Sequence, residues 1–169
     1  MNKKALRILT AVAVFLTAAV IITALAVCMI FPNKYASELN AAADEFGLSR
    51  ALIKSVVWAE SGFDRKATSV KGAKGLMQLM PETFEMCCGS LGIYGADIYD
   101  VNTSLRCGCY YLRLMLDRFD GDERAALMAY NAGEGNARRF LDGEQVFPET
   151  KHYISSIQRA QKFYGIILT

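Results

Sequence analysis

From Ile8 to Phe31 the chain is apolar for 24 residues, interrupted by threonines alone. No other feature restricts its folding as strongly. As a helix the run extends roughly 36 Å at 1.5 Å per residue, more than the ~30 Å hydrocarbon core of a bilayer. A cleavable export signal has a shorter apolar region, typically ~7–15 residues, ahead of a small-x-small site. "ALA" at Ala24 to Ala26 offers such a site, so cleavage stays open as an alternative. A lipid anchor on Cys28 is disfavoured by the bulky Val27 before it. The favoured expectation is an uncleaved anchor. Lys3, Lys4 and Arg7 precede the run, and basic flanks stay on the cytoplasmic side. The expected organisation is residues 1–7 in the cytoplasm, 8–31 crossing the cell membrane once, and 32–169 outside.

With Lys3, Lys4 and Arg7 set aside, 16 of the 19 Lys and Arg face 17 Asp and Glu, a net of −1. No basic patch stands out, so nucleic acid is not an expected partner. Cys87, Cys88, Cys107 and Cys109 fall in the outer part. An even number of cysteines on the oxidising side of a membrane points to disulfides. Adjacent residues on a helix point about 100° apart, so at least one bridge is expected between the 87/88 pair and the 107/109 pair, its connectivity open. Zinc is the rival, but "CC" and "CGC" lack a ligand spacing such as C-x-x-C, and His152 is the single histidine. Neither metal nor cofactor is expected.

The outer segment reads as helices joined by short loops, with no convincing alternating strand. "YASELNAAADEFG" puts Leu39, Ala42, Ala43 and Phe46 on one face and stops at Gly47. Pro81 suits the first turn of a helix, with Glu82 and Glu85 near its positive end. "NTSLRCGCYYLRLMLDRF" carries Leu105, Leu112, Leu116 and Phe119 at core spacing, and Asp122 caps "ERAALMAYNAG", which closes at Gly133. The last helix aligns Tyr153, Ile157, Ala160 and Tyr164. About 135 residues of this kind suffice for one all-α core.

One helix carries a charge where none is expected. In "LSRALIKSVVWAESGF", Ser49 is a natural N-cap, and Ile53, Val56 and Val57 recur at helical spacing. The same stripe continues onto Glu60, just before the helix-stopping Gly62. Burial and the negative end of the helix dipole both favour the protonated carboxyl there, which suits a general acid near neutral pH. The alternative is a Glu that reaches the surface or pairs with a nearby Lys or Arg.

"AESGF", "SVKGAKGLMQLMP", "AYNAGEG" and "ETKHYI" occur in the order and approximate spacing of the soluble lytic transglycosylases, whose lysozyme-like fold is related to goose-type lysozyme. The resemblance covers Tyr35 to Tyr164. It implies an all-α lysozyme-like catalytic domain, here preceded by a single N-terminal transmembrane helix. It further implies cleavage of bacterial peptidoglycan between N-acetylmuramic acid and N-acetylglucosamine, leaving a 1,6-anhydromuramoyl end. In that family one glutamate, matched by Glu60, donates a proton to the glycosidic oxygen and then takes one from the muramoyl 6-hydroxyl. The substrate's own N-acetyl oxygen stabilises the developing cation, where most glycosidases use a second carboxylate. Asp64 is the obvious second carboxylate in this sequence, but Gly62 separates it from the helix.

By the same resemblance Ser69, Met77, Gln78, Met80, Tyr130, Asn131 and Tyr153 bind substrate, the tyrosine matched by Tyr153 contacting the acid or the N-acetyl group. All but Gln78 have a plainer reading. Ser69 is also a loop serine able to bond its own backbone. Met77 and Met80 flank Leu79 in ordinary core-filling company. Tyr130 and Asn131 end a helix, where packing and capping are alternatives, and Tyr153 sits on an amphipathic stripe. His152 beside it reads as a surface residue. The chain departs from the family at Glu134, where proline is common, and in its cysteine pairs. Two other functions compete with lytic transglycosylation: a hydrolase using water on the same fold, and a catalytically silent glycan-binding module of an envelope complex. Oligomeric state is not readable from the sequence.

Overall fold

The computed structural model describes residues 2–32, 34–145 and 147–167. Eight helices, and no strand, occur among them. The chain divides into two compact units, Met1–Lys34 and Tyr35–Thr169.

The first unit is one helix, α1 (Lys3–Ile30), whose N-terminus is capped by Asn2 accepting from the Lys4 N–H. Residues Leu6–Val27 have a mean hydropathy of 2.6 and are not buried by any part of the protein, so α1 is long and apolar enough to cross a membrane. The hydroxyls of Thr10, Thr17 and Thr23 donate to the carbonyls of Arg7, Val14 and Ala19 one turn back. These internal bonds leave none of the three hydroxyl protons to an apolar solvent.

The second unit is all-α. It comprises α2 (Ala36–Phe46), α3 (Arg50–Ser61), α4 (Pro81–Leu91), α5 (Val101–Arg118), α6 (Glu123–Ala132), α7 (Glu134–Leu141) and α8 (Pro148–Ile167). The boundaries follow local chemistry. Ser49 caps α3, Asp100 accepts from Thr103 N–H at 2.9 Å, and Asp122 accepts from the Arg124 and Ala125 N–H groups. Such caps contribute about 1 kcal/mol each. Pro81 opens α4 at a position where its missing N–H is harmless. Gly133, at φ 87° and ψ 152°, adopts a backbone conformation essentially closed to other residues and so separates α6 from α7. The sequence reading carried no element between Gly133 and Pro148; α7 fills that gap.

α3 packs most extensively on α8, while α5 receives α2, α4 and α6. The stripe expected on α3 proves broader than a stripe, because every residue from Leu52 to Val57 is buried, Lys54 included. The stretch from Gly62 to Met80 is no open loop. Thr68 bridges Lys74 and Lys74 bridges Leu79 in antiparallel pairs, which fold "GLMQL" back against the chain before it. Behind it, Cys87, Cys88 and Cys107 form an apolar cluster with Leu79 and Phe84, against which Tyr111 and Tyr130 pack. The expected bridge between the cysteine pairs is not formed here: all four are buried thiols, and the Cys88 and Cys107 sulfurs stand 3.6 Å apart.

Candidate active site

A cleft of about 830 Å³ opens on the second unit. Its walls come from the last turn of α3, the folded 62–80 segment, the start of α4, Tyr111 of α5, the end of α6, the start of α7 and the start of α8. Glu60 lies in it because the last turn of α3 carries the apolar stripe one step further, and Gly62, at φ 58°, then ends the helix with its N–H on the Trp58 carbonyl. Burial is the main influence on the carboxyl and raises its pKa to about 7; the Tyr153 hydroxyl, donating to Oε1 at 2.5 Å, partly offsets this. Burial and the neighbouring Glu60 charge hold Tyr153 well above the ordinary tyrosine range. It therefore stays a donor at any physiological pH. With Oε1 engaged by the tyrosine, Oε2 is the oxygen left to carry a mobile proton.

The folded segment is tied to this acid by its neighbour. Ser61 donates to the Leu76 carbonyl at 2.8 Å, joining the end of α3 to the "GLMQ" turn. Gln78, at φ 46°, gives both amide protons away, to the Ala67 carbonyl at 3.2 Å and the Gly75 carbonyl at 2.9 Å. What it offers the cleft is thus an acceptor oxygen. Ser69 accepts from the Ala73 N–H at 3.0 Å, the backbone role a loop serine takes, and also lines the cleft, where its hydroxyl proton remains to donate. Tyr130 donates to the Met77 carbonyl at 2.8 Å and stacks obliquely on Tyr111, ring centroids 5.3 Å apart. Among the described residues no three His, Cys, Asp or Glu side chains gather as a metal site.

Residues 37–153 match the transglycosylase SLT domain family. The chain belongs to that family. The transglycosylase of Enterobacteria phage PRD1 is 40% identical over 99 residues, covering 59% of this chain and 35% of the phage protein. The membrane-bound lytic murein transglycosylase F of Desulfosudis oleivorans is 36% identical over 114 residues, covering 64% of this chain and 23% of its own length. The chain thus spans about a third or less of these relatives. Among solved structures, an inactive mutant of the lytic transglycosylase Slt from Pseudomonas aeruginosa superposes with a TM-score of 0.79 at 29% identity, covering 84% of this chain and 25% of that one.

Within this SLT domain, Glu60, Ser69, Gln78, Met80, Tyr130 and Asn131 all line the cleft. Tyr153 does not line it but stands behind Glu60 as its hydrogen-bond partner. Met77 departs from expectation. Its side chain is fully buried against Gly108 and does not line the cleft, and its carbonyl accepts from the Tyr130 hydroxyl. Asp64 is exposed beyond Gly62, outside the cleft, and its carboxylate accepts from the Lys66 N–H at 2.9 Å. Lys71, Thr83, Tyr111, Phe147 and Glu149 also line the cleft, and the sequence reading named none of them as site residues. Phe147, 63% exposed, and Glu149 precede the "HY" of α8 by a few residues. Their proximity to Tyr153 was the signal available.

Proposed function

We propose that this chain is a membrane-anchored lytic transglycosylase acting on bacterial peptidoglycan, with Glu60 as its acid and base. One observation carries the reading: a buried carboxyl at the cleft, with pKa raised to about 7 and one oxygen fixed by a tyrosine that does not ionise. At neutral pH such a group is divided between acid and base, as a residue that first donates and then accepts a proton must be. Protonated Glu60 delivers its proton to the glycosidic oxygen between N-acetylmuramic acid and N-acetylglucosamine. The resulting carboxylate takes the proton of the muramoyl 6-hydroxyl, whose oxygen attacks the anomeric carbon and closes the 1,6-anhydro ring. Holding nucleophile and electrophile in one sugar replaces a collision with water by an intramolecular step. Ser69, Gln78, Met80, Tyr130 and Asn131 bind the glycan, Gln78 through its acceptor oxygen. An exchange of one glutamate for glutamine in the Pseudomonas Slt, described as inactive, agrees with reliance on a single acid. A silent binding module has no use for a carboxyl whose pKa is raised to about 7.

Residues 8–31 are proposed to anchor the protein in the cell membrane, with 1–7 inside and 32–169 acting outside. The composition of α1 and the membrane-bound relative support this. In that oxidising compartment Cys88 and Cys107, whose sulfurs lie 3.6 Å apart, are proposed to bridge, losing two protons and two electrons to a disulfide-bearing oxidant.

Hydrolysis is the second reading, and Glu149 in the cleft gives it a second carboxylate. Mass spectrometry of purified-wall digests separates the two. Anhydro-ended muropeptides, lighter by one water than hydrolytic ones, are expected; reducing ends as the main product assign the chain to the hydrolases. Membrane fractionation with N-terminal sequencing should find the intact chain in the membrane, and a soluble form starting near Val27 argues against the anchor.

A further inference from the structure

The geometry points to Gly108 as a positioning residue: the space its missing side chain leaves is the seat of Met77, and through Met77 it sets Gln78 and Tyr130 in the cleft. Gly108 lies inside α5, where glycine is the least favourable residue apart from proline. The reason for it there is contact. A Cβ at Gly108 would stand 2.6 Å from the Met77 Cβ and 2.9 Å from its terminal methyl, with the sulfur nearer still. The sulfur and methyl belong to a flexible end and can swing aside. The Met77 Cβ cannot, because it is fixed to the backbone, so a methyl group at 108 moves the backbone of residue 77.

That backbone leads directly to the site. The Met77 carbonyl receives the Tyr130 hydroxyl at 2.8 Å. The next residue is Gln78, held at φ 46° by its two amide bonds to the Ala67 and Gly75 carbonyls. Restoring ordinary carbon contact, about 3.5–4.0 Å, requires a shift on the order of 1 Å. Displacements of that size at positioning groups cost turnover by roughly 10²-fold. Gly89 supplies the control: it is also a helical glycine, in α4, but a Cβ there meets nothing within 4 Å.

The kinetic part of the test rests on the proposed transglycosylase reading; the spectroscopic part does not. In the full chain in detergent, Gly108→Ala should lower kcat on soluble glycan strands at least ~10-fold while KM changes less. The side-chain amide resonances of Gln78 should move in the same variant. Gly89→Ala should leave both readings at wild-type values. Gly108→Ala combined with Met77→Gly removes the overlap and should return the Gln78 resonances and part of the turnover. A wild-type chain without turnover counts against the function alone, since the Gln78 signals still report the seat. Unmoved Gln78 signals and kcat in Gly108→Ala refute the positioning role, even if the melting temperature falls. Should Gly108→Ala fail to fold, the paired variant decides: folded with wild-type Gln78 signals it supports the seat, and unfolded or displaced it refutes it.

Discussion

Two carboxylates four residues apart, Glu60 in the last turn of α3 and Asp64 in the loop past Gly62, share a charge type and little else. Glu60 is held in the cleft, desolvated, with a tyrosine on one oxygen. Asp64 stands in solvent and caps the N–H of Lys66, a service to its own loop. One left-handed glycine lies between them. At φ 58° Gly62 ends the helix and turns the chain so that position 64 leaves the face on which position 60 lies. Spacing along a sequence therefore says little about a carboxylate's chemistry until the helix is known to continue.

The contrast can be broken most forcefully at the acid. Glu60→Gln preserves shape without a proton to give, so turnover should fall at least ~10²-fold while glycan binding persists; retained turnover would remove Glu60 from the mechanism. Tyr153→Phe comes next, with an expected loss on the order of 10-fold and a displaced pH profile. Tyr153 lowers the Glu60 pKa, so its removal raises that pKa, and the alkaline fall in activity, near pH 7 in the wild type, should move to higher pH. A limb that stays in place means the titration belongs to another group.

Smaller effects sharpen the same contrast through stability. The carboxyl of Glu60 ionises near 4.5 ordinarily and near 7 in the fold. The folded state thus binds the proton more tightly, and wild-type stability is full below pH 4.5 and declines as pH rises through 7. Glu60→Gln escapes this loss. Its melting temperature should match the wild type near pH 4 and exceed it by roughly 5–10 °C at pH 8, and a pH-independent difference would show that the acid is not desolvated. Smallest of all, Asp64→Asn should leave turnover within about two-fold and stability within ~0.5 kcal/mol. A loss there comparable to Glu60→Gln would restore a two-carboxylate mechanism.

Much of this was legible in the residues because the signals are local. Ser49 and Gly62 bracket α3 within one turn of the groups they cap, and the stripe Ile53, Val56, Val57 leads to Glu60 by helical arithmetic. α7 stayed hidden since Ala137 is its one buried residue among those described, too little for a period to show. Lys54 reads as surface, and only the packing around α3 reveals its burial. Met77 was misplaced for a different reason: family resemblance carries a residue to a site but not its side-chain direction, which the gap at Gly108 decides. The pairing of Glu60 with Tyr153 had no signal in spacing or periodicity; the family resemblance alone pointed to a contact with the acid or the N-acetyl group.

That pairing joins residues 93 positions apart, the second on the last helix. A nascent chain makes α3 well before α8. Until α8 docks on α3, its buried Ile154, Ile157 and Ala160 are uncovered, and water reaches the Glu60 carboxyl. Its pKa then returns toward the ordinary carboxylate range, and at neutral pH it carries no proton to donate. On the proposed reading, Glu60 becomes a competent acid only once α8 has docked on α3.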